Sequence, residues 1–334
     1  MNIAQILRMA LFDADAVNSD GTTHRFVTEP ELLVWAQEGH DYALAKLRQA
    51  QQDYGLTIRA STDADLRYQG VTYDCSSFGL TTSARTYTLP PDLVSLRRIR
   101  ALTTGEEYRT FEHKDMADPV FVELSRVESS ATEAGRLYWD VIGERTLIFP
   151  QPPDVALDIE ISYIALPPML RLYSTGTVST TQNSTAVTGA STPNWVIQEL
   201  TTPMELMTAT GAVAPKIVTQ TSTDPTVDPS ALYSPVASID TNTTLTLMGT
   251  WLPTAISTKA YLLASVPSLP RAWHWVLVRW VSMMIRWKAS GSVPSERPDF
   301  EAISNTAMIP DVSQRQTADA ETVEDFDPGD SEWE

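Results

Sequence analysis

Cysteine is almost missing from this 334-residue sequence, where Cys75 stands alone. One thiol closes no intrachain disulfide, so the fold is not a disulfide-stapled scaffold. Zinc needs several Cys and His ligands at fixed spacing, and His24, His40, His113 and His274 are too scattered to supply them. Long apolar runs are lacking too: no charge-free window of about 18 apolar residues occurs, and no membrane-spanning helix or membrane partner is expected. Asp13 and Asp15 interrupt the stretch where a secretory signal would need its apolar region, so a chain made and used in soluble form is expected. Basic residues are scarce, 24 Lys and Arg against 42 Asp and Glu, for a net charge of −18. Nucleic-acid affinity comes largely from clustered cations that release counterions, so such binding is disfavoured as the main activity. The sequence also lacks G-x-G-x-x-G, G-K-[ST], H-E-x-x-H and G-x-S-x-G. The pairs Asp13/Asp15 and Asp63/Asp65, and the stretch Asp325–Asp330, are poor matches to acid–base or calcium sites. No enzyme activity, cofactor or metal is expected.

What is there begins with helices. Ile3, Ile6, Leu7, Ala10 and Leu11 share one face of a predicted helix over residues 2–14. Thr28, Pro30 and Glu31 read as an N-cap with its capping box, opening a second helix. Its stripe runs through Leu32, Ala36, Gly39, Ala43, Leu47, Ala50 and Tyr54, and Gly55 is expected to end it. From about residue 56 to 173 the period changes to two. Short antiparallel strands are expected near 85–91, 96–102, 137–142, 146–149 and 156–164, joined as hairpins.

Residues 174–268 differ in kind: 33 of these 95 residues are Ser or Thr, and only Lys216 and Lys259 are basic. Thr-rich, turn-punctuated and carrying apolar anchors such as Trp195 and Trp251, the stretch reads as a β-sandwich or barrel-like module. Hairpins are expected at 177–187, turning at Asn183, and at 236–247, turning near Asn242. A further helix is expected from Pro270 to Ala289, with Trp273, Val276, Leu277, Trp280, Met284 and Trp287 on one face packed against the N-terminal helices and Arg271, Arg279, Ser282 and Arg286 on the other. Residues 296–334 hold twelve acids, two bases and few periodic anchors, which reads as an extended acidic arm. The expected class is therefore α+β. A helical bundle and antiparallel β-rich core would span 1–173 plus 269–295, with 174–268 inserted and 296–334 as the arm. Arg97, Arg98 and Arg100 form the one dense basic run, either a solvated sheet face paired to acids or a contact to an acidic partner.

Three stretches have a family look: Tyr87–Ile99 (YTLPPDLVSLRRI), Tyr138–Pro153 (YWDVIGERTLIFPQPP) and Ile159–Pro168 (IEISYIALPP). Their order, with helices before and after, resembles the head-to-tail adaptor proteins of tailed bacteriophages, the tail tubular protein A type. The resemblance covers 1–173 and 269–290 and lies in order and pattern more than in fixed residues. It implies a structural virion protein of the neck, assembled in the host cytoplasm and without catalytic residues. It further implies a homo-oligomeric ring, commonly of about twelve copies. The implied partners are the portal protein above, a tail nozzle or tail-completion protein below, and tail fibres. DNA would pass through the channel without specific binding. In that setting Phe300, Ile303, Met308, Ile309, Val312, Phe326 and Trp333 are the anchors by which the arm would dock on the portal or an adjacent subunit. The alternative is a tail-associated binding module, with 174–268 acting as an adhesin or glycan-binding piece.

Overall fold

The computed structural model describes residues 1–16, 27–51, 53–68, 71–126, 135–191, 193–196, 200, 204–208, 234–250 and 255–291. The protein is mixed α+β, with helices and several largely antiparallel sheets. It divides into two compact units, one of Met1–Gln52 with Met169–Glu334 and one of Asp53–Pro168. The helices therefore share a unit with the Ser/Thr-rich strands.

Helix α1 (Ile3–Asp13) is capped by Asn2, whose side chain accepts from the Gln5 N–H at 3.0 Å while Gln5 reaches back to the Asn2 N–H. Helix α2 (Glu29–Ala50) opens on the expected Thr28/Glu31 capping box. It ends at Gln51, whose extended backbone breaks the helix before Gly55 is reached. Gly55 instead turns the chain, at φ 83°, into the first strand.

In the Asp53–Pro168 unit, β1 (Leu56–Ala60) leads to the small hairpin of β2 (Leu66–Tyr68) and β3 (Val71–Tyr73). Next come β4 (Thr86–Thr88), β5 (Leu93–Ala101), β6 (Thr110–His113), α3 (Pro119–Arg126), β7 (Arg136–Ile142), β8 (Thr146–Ile148) and β9 (Ile159–Ala165). One sheet has the order β1-β9-β5 and a second β4-β8-β7-β6. Tyr87, Leu89, Leu147, Phe149, Ile159, Ile161 and Tyr163 meet in one core with Cys75 and Phe78. The expectation of hairpins alone is corrected here: β6 and β7 pair in parallel, joined through α3, which periodicity did not reveal. A parallel pair needs a crossover, and α3 provides part of it.

The Ser/Thr-rich strands are β10 (Leu172–Tyr173), β11 (Thr177–Thr180), β12 (Ala186–Ala190), β13 (Met204–Thr208), β14 (Ser234–Ile239), β15 (Thr244–Leu247), β16 (Ile256–Lys259) and β17 (Tyr261–Ser265). They form one antiparallel sheet ordered β10-β17-β13-β14-β15-β12-β11-β16. Both expected hairpins are present, β11–β12 with Asn183 at φ 61° in its turn and β14–β15. Val178, Val187, Trp195, Leu206, Leu245 and Tyr261 build the core beneath.

A 3-10 turn (Arg271–Trp273) precedes α4 (His274–Ser290), which Gly291 closes in the left-handed conformation. Val276, Leu277, Val281 and Ile285 form its buried stripe. That corrects the tryptophan stripe in part. Trp280 packs on α2 as expected but is only partly buried, Trp273 lies in the 3-10 turn before the helix and is partly buried, and Trp287 is 43% exposed. Helix α4 runs parallel to α1, with His274 against Met1 and Arg279, Ser282 and Arg286 against Asp13. It runs antiparallel to α2, with Trp280 stacked on Tyr42 at 5.6 Å and Lys288 on Glu31 at 2.6 Å.

Asp13 is a local hub. Its carboxylate accepts from the buried Ser282 hydroxyl at 2.6 Å and from Arg279 at 3.1 Å, so Ser282 belongs to the packed side of α4, not its polar face. Asp13→Ala strands that hydroxyl and removes charged acceptors, a cost of about 2 kcal/mol. Urea unfolding checks it against Glu38→Ala, an exposed residue of α2 expected to change stability by no more than about 0.5 kcal/mol.

Lys288 and the Thr28 cap hold Glu31 well below the ordinary glutamate range, at about 2. A depressed folded pKa means that this tie contributes fully above about pH 4.5 and is lost as pH falls toward 2. The Tm difference between the wild type and Glu31→Gln should accordingly be largest near neutral pH and shrink steadily below pH 4.5. A constant difference down to pH 2.5 would contradict the assignment.

Candidate functional site

A cleft of about 530 Å³ opens in the Asp53–Pro168 unit. One wall is Leu93–Arg97 of β5, and the other is Trp139–Val141 of β7 with Gly143 and Glu144 of the β7–β8 turn. His113, the last residue of β6, completes it. Side chains alternate faces along a strand, so consecutive residues lining one cleft mean that the strand edge itself, main chain included, faces the opening. β5 is the end strand of its sheet. β6 pairs with Arg136–Trp139 only, which leaves that flank of β7 without a strand partner from Asp140 onward.

Asp140 organises the mouth. One carboxylate oxygen lies 3.3 Å from His113 Nε2 and the other accepts the Met116 N–H at 2.9 Å. The His113 ring sits edge-on to Trp139, with centroids 4.9 Å apart. The Trp139 side chain is almost fully buried, and its indole N–H has no acceptor among the described residues. Asp140 lies in the run Tyr138–Ile142, a carboxylate amid apolar and aromatic residues. That break in a strand's apolar pattern is the signal that could have located the cleft.

Beneath β9 lies a second polar group. The buried Tyr163 hydroxyl donates to Asp92 at 3.0 Å and also meets the Arg59 guanidinium. Burial pushes the Asp92 carboxyl and the Cys75 thiol above their ordinary values. A thiol both buried and raised is a poor nucleophile, in keeping with Cys75 as a small core residue.

The three arginines are exposed, but they do not act as one patch. A register shift between Leu96 and Arg98 turns Arg97 and Arg98 outward together. Arg100 pairs with Glu160 at 3.2 Å across the strands, and Arg97 lies 3.8 Å from Asp53. Arg98 has no carboxylate partner among the described residues. Trp280 and Trp287 lie on α4 and Trp273 in the 3-10 turn before it, all in the other unit. The seven proposed arm anchors, Phe300, Ile303, Met308, Ile309, Val312, Phe326 and Trp333, fall outside the described residues. Among the described residues no group of three or more His, Cys, Asp or Glu side chains is placed to hold a metal ion. No helix described is long and apolar enough to cross a membrane. Neither a family model nor a curated protein matches this chain.

Proposed function

We propose that the protein is a structural subunit of a bacteriophage neck, a head-to-tail adaptor that assembles into a ring beneath the portal. In this reading the helices from both chain regions form a bundle, residues 174–268 are an inserted barrel-like module, and 296–334 reach a neighbouring component. The observation that supports it best is where the adaptor-like stretches fall. Tyr87, Leu89, Leu147, Phe149, Ile159, Ile161 and Tyr163, drawn from all three, belong to one core cluster. The adaptor reading requires these three stretches to build one core together, and they do. Tyr87 adds to this by donating to the Ala84 carbonyl at 2.8 Å while accepting the Thr81 N–H at 3.0 Å. That fixes the loop before the leucine-proline turn. Exposed Ile58, Val94 and Ile142 in the same unit, and Phe12 and Val34 on the helices, supply apolar area for a heterologous interface.

Mass in solution tests this directly. A ring of about twelve copies of a 36.9 kDa chain weighs roughly 440 kDa. Light scattering of the purified protein, alone and with portal, should show that species. A monomer or trimer under both conditions would reject the ring and favour the binding-module alternative.

A further inference from the structure

We infer that the cleft between β5 and β7 is a docking slot for an extended peptide segment carrying an arginine side chain. This stands on the cleft alone and does not rest on the adaptor reading. The peptide character follows from the β5 wall: Leu93–Arg97 lies on the end strand of its sheet, whose outer edge pairs with an added strand through main-chain hydrogen bonds, whereas on the β7 wall the Val141 N–H is held by Asp140 and the Trp139 carbonyl by the Lys114 N–H. The buried Trp139 N–H, still without an acceptor among the described residues, meets a peptide carbonyl at the floor.

Charge sets the side chain. Arg97 is countered by Asp53, and the Asp140 carboxylate is engaged by His113 and the Met116 N–H. Glu144 lines the cleft with no cation partner among the described residues. The uncompensated charge of the lining is therefore negative, in a chain of net charge −18 that steers cationic segments toward itself. Leu93, Leu96 and Val141 provide apolar wall for the aliphatic stem of an arginine. Its guanidinium then reaches Glu144, and its planar face suits the exposed His113 ring.

Calorimetric titration of the full-length protein with two blocked pentapeptides, Val-Thr-Arg-Thr-Val and Val-Thr-Glu-Thr-Val, tests this. The arginine peptide should bind at least about fivefold more tightly than its glutamate twin. Glu144→Gln should remove most of that preference, whereas Glu123→Gln, an exposed change outside the cleft, should leave it intact. N-methylation of the central arginine amide should weaken binding, since it removes a main-chain donor. Equal affinity for the two peptides, absence of binding, a preference untouched by Glu144→Gln, or indifference to N-methylation would each overturn the assignment. Circular dichroism on both variants confirms that they fold, because each changes an exposed side chain.

Discussion

Trp195→Ala should lower the stability of the unit containing the Ser/Thr-rich strands by about 4 kcal/mol. Trp195 is fully buried, and its indole N–H donates to the Tyr261 hydroxyl at 2.6 Å. The rings meet edge to face at 5.9 Å and 89°. Tyr261 in turn donates to the Thr175 carbonyl at 2.6 Å, so one side chain ties the β17 strand to the segment entering β11. Alanine leaves a cavity and a hydroxyl without its donor. Trp195→Phe should fall between, about 2 kcal/mol, by keeping volume while losing the hydrogen bond. Urea denaturation followed by hydrogen exchange in β11 and β17 reads both values. A loss below about 1.5 kcal/mol for the alanine variant would show that the sheet does not depend on this anchor.

The second large effect runs against helix propensity. Gly39 lies within α2, where alanine ordinarily gains about 1 kcal/mol. Here a Cβ would sit 2.6 Å from Trp280 Cδ1 and 2.7 Å from Cγ, with Trp280 Cβ at 3.2 Å. These are the rooted atoms of a ring already stacked on Tyr42, so the helices must separate. Gly39→Ala should cost about 2 kcal/mol net, and Gly39→Leu more than 3. Measured in a Trp280→Ala background, itself less stable, the Gly39→Ala penalty should largely vanish, because the nearest atoms to the added Cβ all belong to Trp280. A Gly39→Ala protein as stable as the wild type would show that α2 and α4 do not approach this closely.

Why some elements were readable and others not follows from range. The caps at Asn2 and Thr28 act over three residues, so the sequence carries them in full. The β11–β12 and β14–β15 hairpins are set by turn residues lying between their strands. Helix α2 stops before Gly55 because the Gln51 backbone turns extended, a choice no local glycine announces. The parallel β6–β7 pair joins residues across α3, and the cleft gathers His113, Asp140 and Leu93–Arg97 from three strands. Such groupings are decided by sheet order, which periodicity does not encode. The face of α4 is legible only in part for a related reason: Val276, Leu277 and Trp280 do pack, but Trp287 does not. Packed by α1 on one side and α2 on another, it buries Val276, Leu277, Val281 and Ile285 while Trp287 stays exposed. Ring size alone was a poor guide to which way it faces.

The compact unit that holds α1 and α2 is discontinuous, with Asp53–Pro168 lying between its two pieces. During synthesis the intervening unit is complete while α4 has yet to be made. Helices α1 and α2 touch each other little and rely on α4 for most of their packing. At about 10–20 residues per second, the first helix waits on the order of ten seconds for its partner. Through that interval Ile3, Ile6, Leu7 and Leu11, all fully buried in the finished protein, have no α4 to cover them. Loop closure over so long a separation also slows the last step. The nascent chain is thus vulnerable until α4 is made, and a chaperone that recognises short apolar helices would find its target in α1.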